Sequence, residues 1–566
     1  MKKRFDEFEY ARPDVAAEAA AFRKAVGAFR GAASAKGQIE AMEAITAIRV
    51  RLASMFNLAR IRHTCNTEDP FYEKENDFVD DSEPQVEGLQ SELYAALLES
   101  PFRAELEKAW GPQIFRIAEL KAKTYKPEIE ADLAAENKLA SEYDKLKASA
   151  KIPFEGAERN LAEMLPFMES PDRAVRGRAV SAVSAFYAER QAEFERIYDE
   201  LVKLRAGIAA KLGFESFVPL AYARLGRSDY DAKAVAAYRR QVLETVVPLA
   251  ASIRARQARR LGLTALAYRD EAFEFPSGNP TPKGDTEVLV EAAARMYADM
   301  SPETGEFFRE MKERRLFDLP TRKGKAMGGY CECIPSEGVP FIFANSSGTA
   351  EDVDTLTHEA GHAFQVSRSL GYPFPEYYWP TLEACEIHSM SMEFFAWPWM
   401  EGFFGADADK YRFRHLSAGI LFMPYGVAVD EFQHWVYEHA GASPAERRAA
   451  WREIERRYLP WRDYEGDAFL ESGGYWLRQG HIFQVPFYYI DYTLAQVCAY
   501  EFWAKSRSDR ASAWKSYLEL CGRGGSKSFL ELLKVAGLRN PFEAGSIAAI
   551  MAPAKAWLEG VDDRAM

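Results

Sequence analysis

Apolar side chains recur at three- and four-residue steps through most of the chain, which is the spacing of one face of an amphipathic helix. The clearest run comprises Ile39, Met42, Ile45, Ile48, Leu52, Met55 and Leu58. A second run starts after Ser170 and reaches Leu212, where Gly213 predicts the helix stop. Because no fixed-period repeat accompanies the pattern, we expect a mostly α, stacked multi-helical fold and not a solenoid.

Two stretches interrupt the helical pattern. A polar stretch at residues 66–81 predicts a break, and Ser82 with Gln85 forms a capping-box pair that predicts a new helix start. Residues 326–334 and 339–344 flank a cluster of proline and glycine and predict a β-hairpin. We expect this hairpin to be the main β structure of the chain.

The charge balance limits the partners. Lys+Arg total 72 against 85 Asp+Glu, so the net charge is −13. Such a chain lacks the excess of positive charge that is typical of proteins that bind nucleic acids or anionic membranes. Six cysteines in 566 residues is a sparse usage typical of a reducing compartment. The first residues do not resemble a secretory signal, and no apolar run approaches the roughly 18 residues that span a bilayer. We expect a cytoplasmic protein with no nucleic-acid and no membrane partner.

Residues 349–370 carry the motif that points to chemistry. A capping-box pair opens the segment, so His358 and His362 are expected one turn apart on the same helix face. Two neutral imidazoles so placed suit Zn²⁺, and Glu359 between them suits a general base that acts on water. Two histidines on a solvated helix face are the competing interpretation.

The third ligand decides the kind of zinc site. The extended metzincin pattern requires a glycine and a histidine where this chain has Gln365 and Arg368, so that class is excluded. The alternative is a glutamate from the next helix, which carries Glu383, Glu386 and Glu393. Spacing alone does not choose between Glu383 and Glu386.

Separated segments of the chain together resemble one peptidase family. They are His358-Glu359-Ala360-Gly361-His362, then Glu386-Ile387-His388-Ser389, and His481-Ile482-Phe483-Gln484-Val485-Pro486-Phe487-Tyr488-Tyr489-Ile490-Asp491-Tyr492, with residues 340–345 before the first. In this order they resemble the thimet oligopeptidase and oligoendopeptidase F family of zinc metallopeptidases. The spacing between histidine and tyrosines is most similar to the oligoendopeptidase F and Pz-peptidase branch.

The resemblance implies a zinc-dependent endopeptidase that hydrolyses internal bonds of short, unfolded oligopeptides. It implies that Glu386 is the third ligand, that each chain binds one Zn²⁺, and that the fold is a large two-lobed multi-helical body with zinc at the floor of a deep substrate channel. We divide the chain into an N-terminal helical region, 1–169, and a catalytic region, 170–566. The catalytic region would hold a small sheet, at about 265–345, and the zinc-binding helices.

The resemblance also implies roles for residues near the C-terminus. Tyr489 and Tyr492 would donate hydrogen bonds to the oxyanion of the reaction, and His481 would act beside them. Their neighbours Phe483, Phe487 and Tyr488 are predicted to pack in the core, because aromatic residues at helical spacing usually do. Ser389 and Asp354 are candidates for hydrogen-bond partners of the zinc ligands.

The substrate is expected to bind mainly through its backbone. If residues 339–344 form an exposed sheet edge, an extended peptide can add to it, which makes Phe341, Phe343 and Asn345 candidate substrate-binding residues. Gly328 and Gly329 permit close backbone approach and are candidates too, although glycines also serve in turns.

Two other functions stay open at this point. A zinc dipeptidyl-carboxypeptidase can share the two-histidine helix and the distant glutamate, and a helical peptide-binding scaffold can retain the metal without turnover. The intact Glu359 favours an enzyme. In each case the expected partners are short peptides, and we expect a monomer or a weak dimer.

Overall fold

Helices dominate residues 2–566, the part of the chain that this computed structural model describes. In the first half of the chain the α-helices are α1 Val15–Gly31, α2 Ala35–Cys65, α3 Pro70–Leu98, α4 Arg103–Trp110, α5 Gln113–Thr124, α6 Glu130–Ala148, α7 Leu165–Met168, α8 Arg173–Glu189, α9 Gln191–Leu212, α10 Phe217–Arg224, α11 Ala232–Gln241 and α12 Val247–Arg260. In the second half they are α13 Thr286–Met300, α14 Pro302–Glu313, α15 Ala350–Ser369, α16 Leu382–Phe395, α17 Glu401–Phe404, α18 Ala408–Glu438, α19 Pro444–Tyr458, α20 Ala468–Glu471, α21 Gly480–Gln484, α22 Tyr489–Ser508, α23 Arg510–Cys521, α24 Phe529–Val535 and α25 Ser546–Gly560. The prediction of a mostly α fold is confirmed. Of the helices described, none combines the length and the apolar character that a membrane span requires.

The helix boundaries near the N-terminus follow their caps. The first predicted apolar run lies entirely on α2. The predicted break begins as expected at Asn66, directly after α2, but its extent to residue 81 is wrong. Asp69 caps α3, and Pro70 occupies the first position of that helix, where proline is tolerated. Ser82 lies inside α3, and its hydroxyl donates a hydrogen bond to the carbonyl of Phe78 instead of starting a helix.

The second predicted run forms two helices in place of one. The side chain of Asp172 caps the start of α8, and Arg190, at φ −108° and ψ 11°, separates α8 from α9. Gly213 ends α9 in the left-handed conformation, at φ 83°, so the predicted stop is confirmed.

Five strands form two small sheets in residues 2–566. β1 Ile152–Phe154 and β2 Ala157–Arg159 form a hairpin that the sequence did not predict. β3 Phe317–Pro320, β4 Tyr330–Ile334 and β5 Val339–Ser346 form a three-stranded sheet. The predicted hairpin is confirmed as β4 and β5, which pair antiparallel.

The exposed edge of the three-stranded sheet differs from the expectation. β5 is the central strand, parallel to β3 and antiparallel to β4, so the prediction that residues 339–344 form an edge is wrong. The carbonyl of Cys333 on β4 accepts a hydrogen bond from Asn57 of α2 at 2.8 Å, so this backbone faces away from β5. Because backbone groups alternate along a strand, the backbone of Cys331 faces the same side.

The helices pack around two main hydrophobic cores. α1 to α5 enclose the smaller one, and Phe374 and Tyr377, from the loop between α15 and α16, pack into it. The larger core extends from Phe8 to Leu558 and includes residues of α6 and β1. Since both elements precede residue 170, the division at 169 and 170 does not coincide with a core boundary and stays a prediction.

Candidate active site

α15 and α16 bring the predicted metal ligands together. Their backbones approach closely at Gly361, where a Cβ would come within 2.7 Å of Ser389 Cα and 2.8 Å of the His388 carbonyl oxygen. Any larger residue would therefore push α16 away. The close crossing lets Glu386 of α16 reach the histidines of α15.

His358, His362 and Glu386 each contribute one ligand atom to a group whose members lie within 4.8 Å of one another. Glu386 Oε2 is 3.2 Å from His358 Nε2 and 3.5 Å from His362 Nε2. Two ligand atoms on a tetrahedral Zn²⁺ with bonds of about 2.0–2.1 Å are about 3.3 Å apart. These residues therefore fit Zn²⁺ with little rearrangement, and two imidazoles with one carboxylate form a donor set of catalytic zinc sites.

The structure separates the two glutamates that spacing left open. Glu386 contacts both imidazoles, whereas the carboxylate of Glu383 is buried and accepts a hydrogen bond from the hydroxyl of Tyr230 at 3.1 Å. Burial opposes ionisation of Glu386, but the neighbouring imidazoles outweigh it and hold its pKa well below the usual range. Ser389 donates a hydrogen bond to Glu386 Oε2 at 3.0 Å, as predicted. Asp354, the other predicted partner, bonds to Tyr411 instead.

A second carboxylate, Glu393, holds His358 from the opposite side of the ring. Glu393 Oε1 lies 2.7 Å from His358 Nδ1, and its Oε2 lies 2.7 Å from His415 Nε2. The indole N–H of Trp397 lies 3.2 Å from His415 Nδ1. Because an indole nitrogen only donates, His415 Nδ1 must accept, and the proton of His415 is on Nε2 and points at Glu393.

This arrangement fixes the tautomer of His358. Glu393 accepts the Nδ1–H of His358, which leaves the lone pair of Nε2 facing Glu386 and the ligand group. The sequence predicts no role for Glu393, although its spacing of two helical turns from Glu386 is a usable signal. No signal points to His415, because it lies on α18 and reaches Glu393 only through tertiary packing.

Glu359 lies beside the ligand group, and one of its carboxylate oxygens is fully buried without a hydrogen-bond partner among the described residues. Glu359 is 7% exposed. Burial raises the pKa of its carboxyl group, although the neighbouring His358 and His362 oppose this shift. Among the described residues, Glu359 Oε2 has no hydrogen-bond partner. A Cβ added to Gly329 would lie 3.7 Å from Glu359 Oε1, so the loop before β4 lies close to this carboxylate. A buried carboxylate with a free oxygen can accept a proton from water.

Tyr488 reaches the ligand group, so the prediction that it packs in the core is wrong. Its hydroxyl donates a hydrogen bond to Glu386 Oε1 at 3.0 Å. Phe483 and Phe487 are both 0% exposed, and their prediction as core residues is confirmed. Helical spacing misses Tyr488 because it is the residue before α22, where the helical period does not apply.

His481 and the two predicted tyrosines form an aromatic group next to Tyr488. The ring of His481 lies 4.8 Å from that of Tyr489 and 5.9 Å from that of Tyr492. Gln479 Nε2 lies 2.7 Å from His481 Nδ1, so Nδ1 accepts and Nε2 carries the proton. Burial lowers the pKa of His481, which keeps the ring neutral. Burial and the charge of Glu386 both raise the pKa of Tyr492.

Tyr489 packs against α18 as well as against this aromatic group. Its ring packs against Phe422 and Tyr425, with centroids 5.6 Å and 5.9 Å away. The structure records no contact between its hydroxyl and the ligand group within the described residues. Its role in the reaction stays a prediction, as do those of His481 and Tyr492.

The candidate substrate-binding residues of β5 have structural roles. Phe341 and Phe343 are 1% and 0% exposed, so their prediction as substrate-binding residues is wrong: both side chains are part of the core. The amide of Asn345 donates to the carbonyls of Ala326 and Gly328, each at 2.8 Å. Asn345 therefore ties down the loop before β4, and its amide protons are not free for a peptide.

Gly328 and Gly329 lie in that loop, and both are exposed. Gly328 has φ 95°, a conformation that glycine adopts without strain. They lead into β4, whose edge away from β5 carries the backbone of Cys331. Gly329 is thus next to Glu359 and lies two residues before Cys331.

Comparison with known proteins places the chain in a family. Residues 5–125 match the peptidase M3 N-terminal domain, and residues 301–552 match peptidase family M3. No curated protein matches the chain.

Solved structures match over the full length. A protein designated oligoendopeptidase F is 58% identical, with a TM-score of 0.95 and 100% of both chains covered. PZ peptidase A, solved with an inhibitor, is 55% identical, with a TM-score of 0.94, 99% of this chain and 100% of that chain covered. A protein from Bacillus anthracis str. Ames, also designated oligoendopeptidase F, is 50% identical, with a TM-score of 0.90. The match covers 100% of this chain and 99% of that chain. The chain therefore belongs to peptidase family M3 and is a metallopeptidase.

Proposed function

We propose that this chain is a zinc-dependent endopeptidase that hydrolyses internal bonds of short, unfolded oligopeptides. The observation that carries the proposal is the free, buried oxygen of Glu359 beside the group of His358, His362 and Glu386. The names of the relatives, oligoendopeptidase F and PZ peptidase A, support the substrate class. A single His/His/Glu group within the described residues supports one Zn²⁺ per chain.

Each polar residue of the site is assigned a role in the hydrolysis of the peptide bond. Zn²⁺, when bound, supplies Lewis acidity that acidifies water and polarises the scissile carbonyl. The carboxylate of Glu359 takes a proton from the attacking water and delivers it to the leaving amine. The Nε2–H of His481 and the hydroxyls of Tyr492 and Tyr489 are the donors assigned to the oxyanion. Tyr488 instead holds Glu386 in place.

We propose that the peptide backbone adds to the free edge of β4. The N–H and carbonyl of Cys331 face away from β5 and have no partner within the described residues. Gly329 lies between this edge and Glu359, and its lack of a side chain leaves room for a peptide. Main-chain hydrogen bonds of this kind bind a peptide with little regard to its side chains, which suits an enzyme of broad specificity.

We further propose that the substrate reaches the zinc through a deep channel that admits only short, unfolded peptides. Two measurements test this channel and the metal. Metal analysis of the purified protein should give close to one zinc per chain, and digestion of a mixed-length peptide pool should show a sharp upper length limit. Full-length cleavage of unfolded proteins would overturn the proposed channel, and the absence of any cleavage would overturn the proposed function.

The zinc dipeptidyl-carboxypeptidase is the alternative activity. Such an enzyme needs a group that captures the terminal carboxylate of the substrate. Comparing one peptide with its C-terminally amidated form separates the two activities, because an endopeptidase should cleave both at similar rates. Loss of cleavage on amidation would favour the carboxypeptidase.

We also propose a cytoplasmic protein that is a monomer or a weak dimer, with peptides as its partners. All six cysteines are free, which supports a reducing compartment. The net charge of −13 disfavours nucleic-acid binding. Light scattering at two protein concentrations tests the assembly state.

A further inference from the structure

Phe487 has a backbone conformation that its side chain disfavours. Its φ is 67°, in the left-handed region that bulky residues rarely occupy. Such a conformation persists where surrounding contacts impose it. Phe487 is the residue before Tyr488, so its conformation decides where the Tyr488 side chain leaves the chain.

Two side chains bind both backbone groups of Phe487. Gln433 of α18 accepts the N–H of Phe487 through Oε1 at 2.7 Å. Arg227, which follows α10, donates from Nη2 to the Phe487 carbonyl at 2.6 Å. The ring of Phe487 is 0% exposed and packs against Tyr222, His434 and Tyr437. We call Gln433, Arg227 and Phe487 the Phe487 clamp.

Arg227 fixes the chain on both sides of Tyr488. The same Nη2 donates to Asp491 Oδ1 at 2.5 Å, and Asp491 lies in the first turn of α22. Both side chains are 0% exposed, so water does not compete for the bond. Tyr488 therefore lies between two points that one guanidinium holds.

We propose that Gln433 and Arg227 are positioning residues that act through Phe487 to aim the Tyr488 hydroxyl at Glu386. The inference rests on the proposed function, because it gives Tyr488 its importance. Neither residue contacts the ligand group, and they lie 54 and 260 residues away from Phe487 in the sequence. The clamp joins elements distant in sequence at the residue that orients Tyr488.

A double-mutant cycle tests this action through Tyr488. Gln433→Leu removes the acceptor for the Phe487 N–H with little change in volume, and it should lower kcat about 10- to 100-fold while KM changes less than about threefold. In the Tyr488→Phe background the same substitution should lower kcat by less than about threefold, because the bond it positions is already gone. Equal losses in both backgrounds, or an unchanged kcat in Gln433→Leu, would overturn the proposal.

Hydrogen exchange gives a readout independent of activity. The amide of Phe487 should exchange at least about tenfold faster in Gln433→Leu than in the original protein, because its acceptor is lost. Gln257→Leu is the matched control: Gln257 is also buried and bonds to backbone carbonyls, but at the loop after α12. Its kcat and the exchange of Phe487 should both stay unchanged. An unaltered exchange rate in Gln433→Leu would contradict the clamp.

Arg227→Lys supplies a second variant should Gln433→Leu fail to fold. Lysine keeps the charge opposite Asp491 but lacks the planar fork that serves two acceptors. It should give the same loss of kcat and the same coupling to Tyr488→Phe. If the original protein were fully inactive, the proposed function would be overturned. The exchange rate of the Phe487 amide in the variants would still show whether the Phe487 clamp holds this backbone.

Discussion

The hydroxyl of Tyr488 donates a hydrogen bond to Glu386 at 3.0 Å, which joins the loop before α22 to the ligand group on α15 and α16. Groups that hydrogen-bond to metal ligands commonly contribute 10- to 100-fold to metal affinity or activity. We therefore expect Tyr488→Phe to weaken zinc binding and kcat/KM by about 10- to 100-fold. Competition with a chelator measures the zinc affinity.

Two other tyrosines provide the comparison. Tyr464→Phe removes a similar bond, from Tyr464 to Glu455 at 2.5 Å, outside the site, and should change neither quantity. Tyr492→Phe should lower kcat by about 10²- to 10³-fold with zinc affinity unchanged, as expected of an oxyanion donor. Unaltered zinc affinity in Tyr488→Phe would contradict the assigned role of Tyr488.

Glu393 fixes the tautomer of His358, so its charge should matter for the metal. In Glu393→Gln the amide can accept only one of the two N–H groups that face it, because its other end is a donor. We expect zinc affinity to fall about 10- to 100-fold. Glu401→Gln, at an exposed ion pair with Arg412, is the control and should bind zinc as before. Equal zinc affinity in both variants would show that Glu393 does not orient His358.

Gly361 sets the distance between the two ligand-bearing helices. In Gly361→Ala the new methyl group would meet Ser389 Cα at 2.7 Å, so α16 must shift and carry Glu386 with it. We expect a loss of roughly 1–3 kcal/mol in unfolding free energy, together with weaker zinc binding. Gly371→Ala is the matched control, because nothing lies within 4 Å of its Cβ position. Chemical denaturation of both variants measures the difference, and equal stabilities would refute the close crossing.

Glu359 is the assigned base, and its substitution separates metal binding from turnover. Glu359→Gln keeps the volume but cannot take a proton, so zinc should stay bound while kcat falls by about 10²- to 10⁴-fold. Glu351→Gln, on an exposed part of the same helix, should have normal activity. Full activity in Glu359→Gln would eliminate the proposed mechanism.

The sequence predicts what depends on local spacing. His358 and His362 lie one turn apart on α15, so their convergence follows from the helical period alone. The β4–β5 hairpin and the stop at Gly213 likewise depend on a few neighbouring residues. Periodicity did not reveal the break at Arg190, because the apolar face continues across it.

The rest depends on packing between distant segments. Glu383 and Glu386 share one helix, and only the crossing of α15 and α16 shows which of them faces the histidines. The bonds of His415 to Glu393 and of Tyr488 to Glu386 join residues 22 and 102 positions apart. No local pattern encodes such pairs. The same limit explains the wrong prediction of an edge at residues 339–344, because alternation does not tell a central strand from an outer one.

Anomalous diffraction at the zinc edge, from crystals of the purified protein, measures the position of the metal. The account predicts one strong peak per chain, within about 2.0–2.2 Å of His358 Nε2, His362 Nε2 and a carboxylate oxygen of Glu386. A peak bound by Glu383, or no peak between the two imidazoles in protein that cleaves peptides, would contradict it.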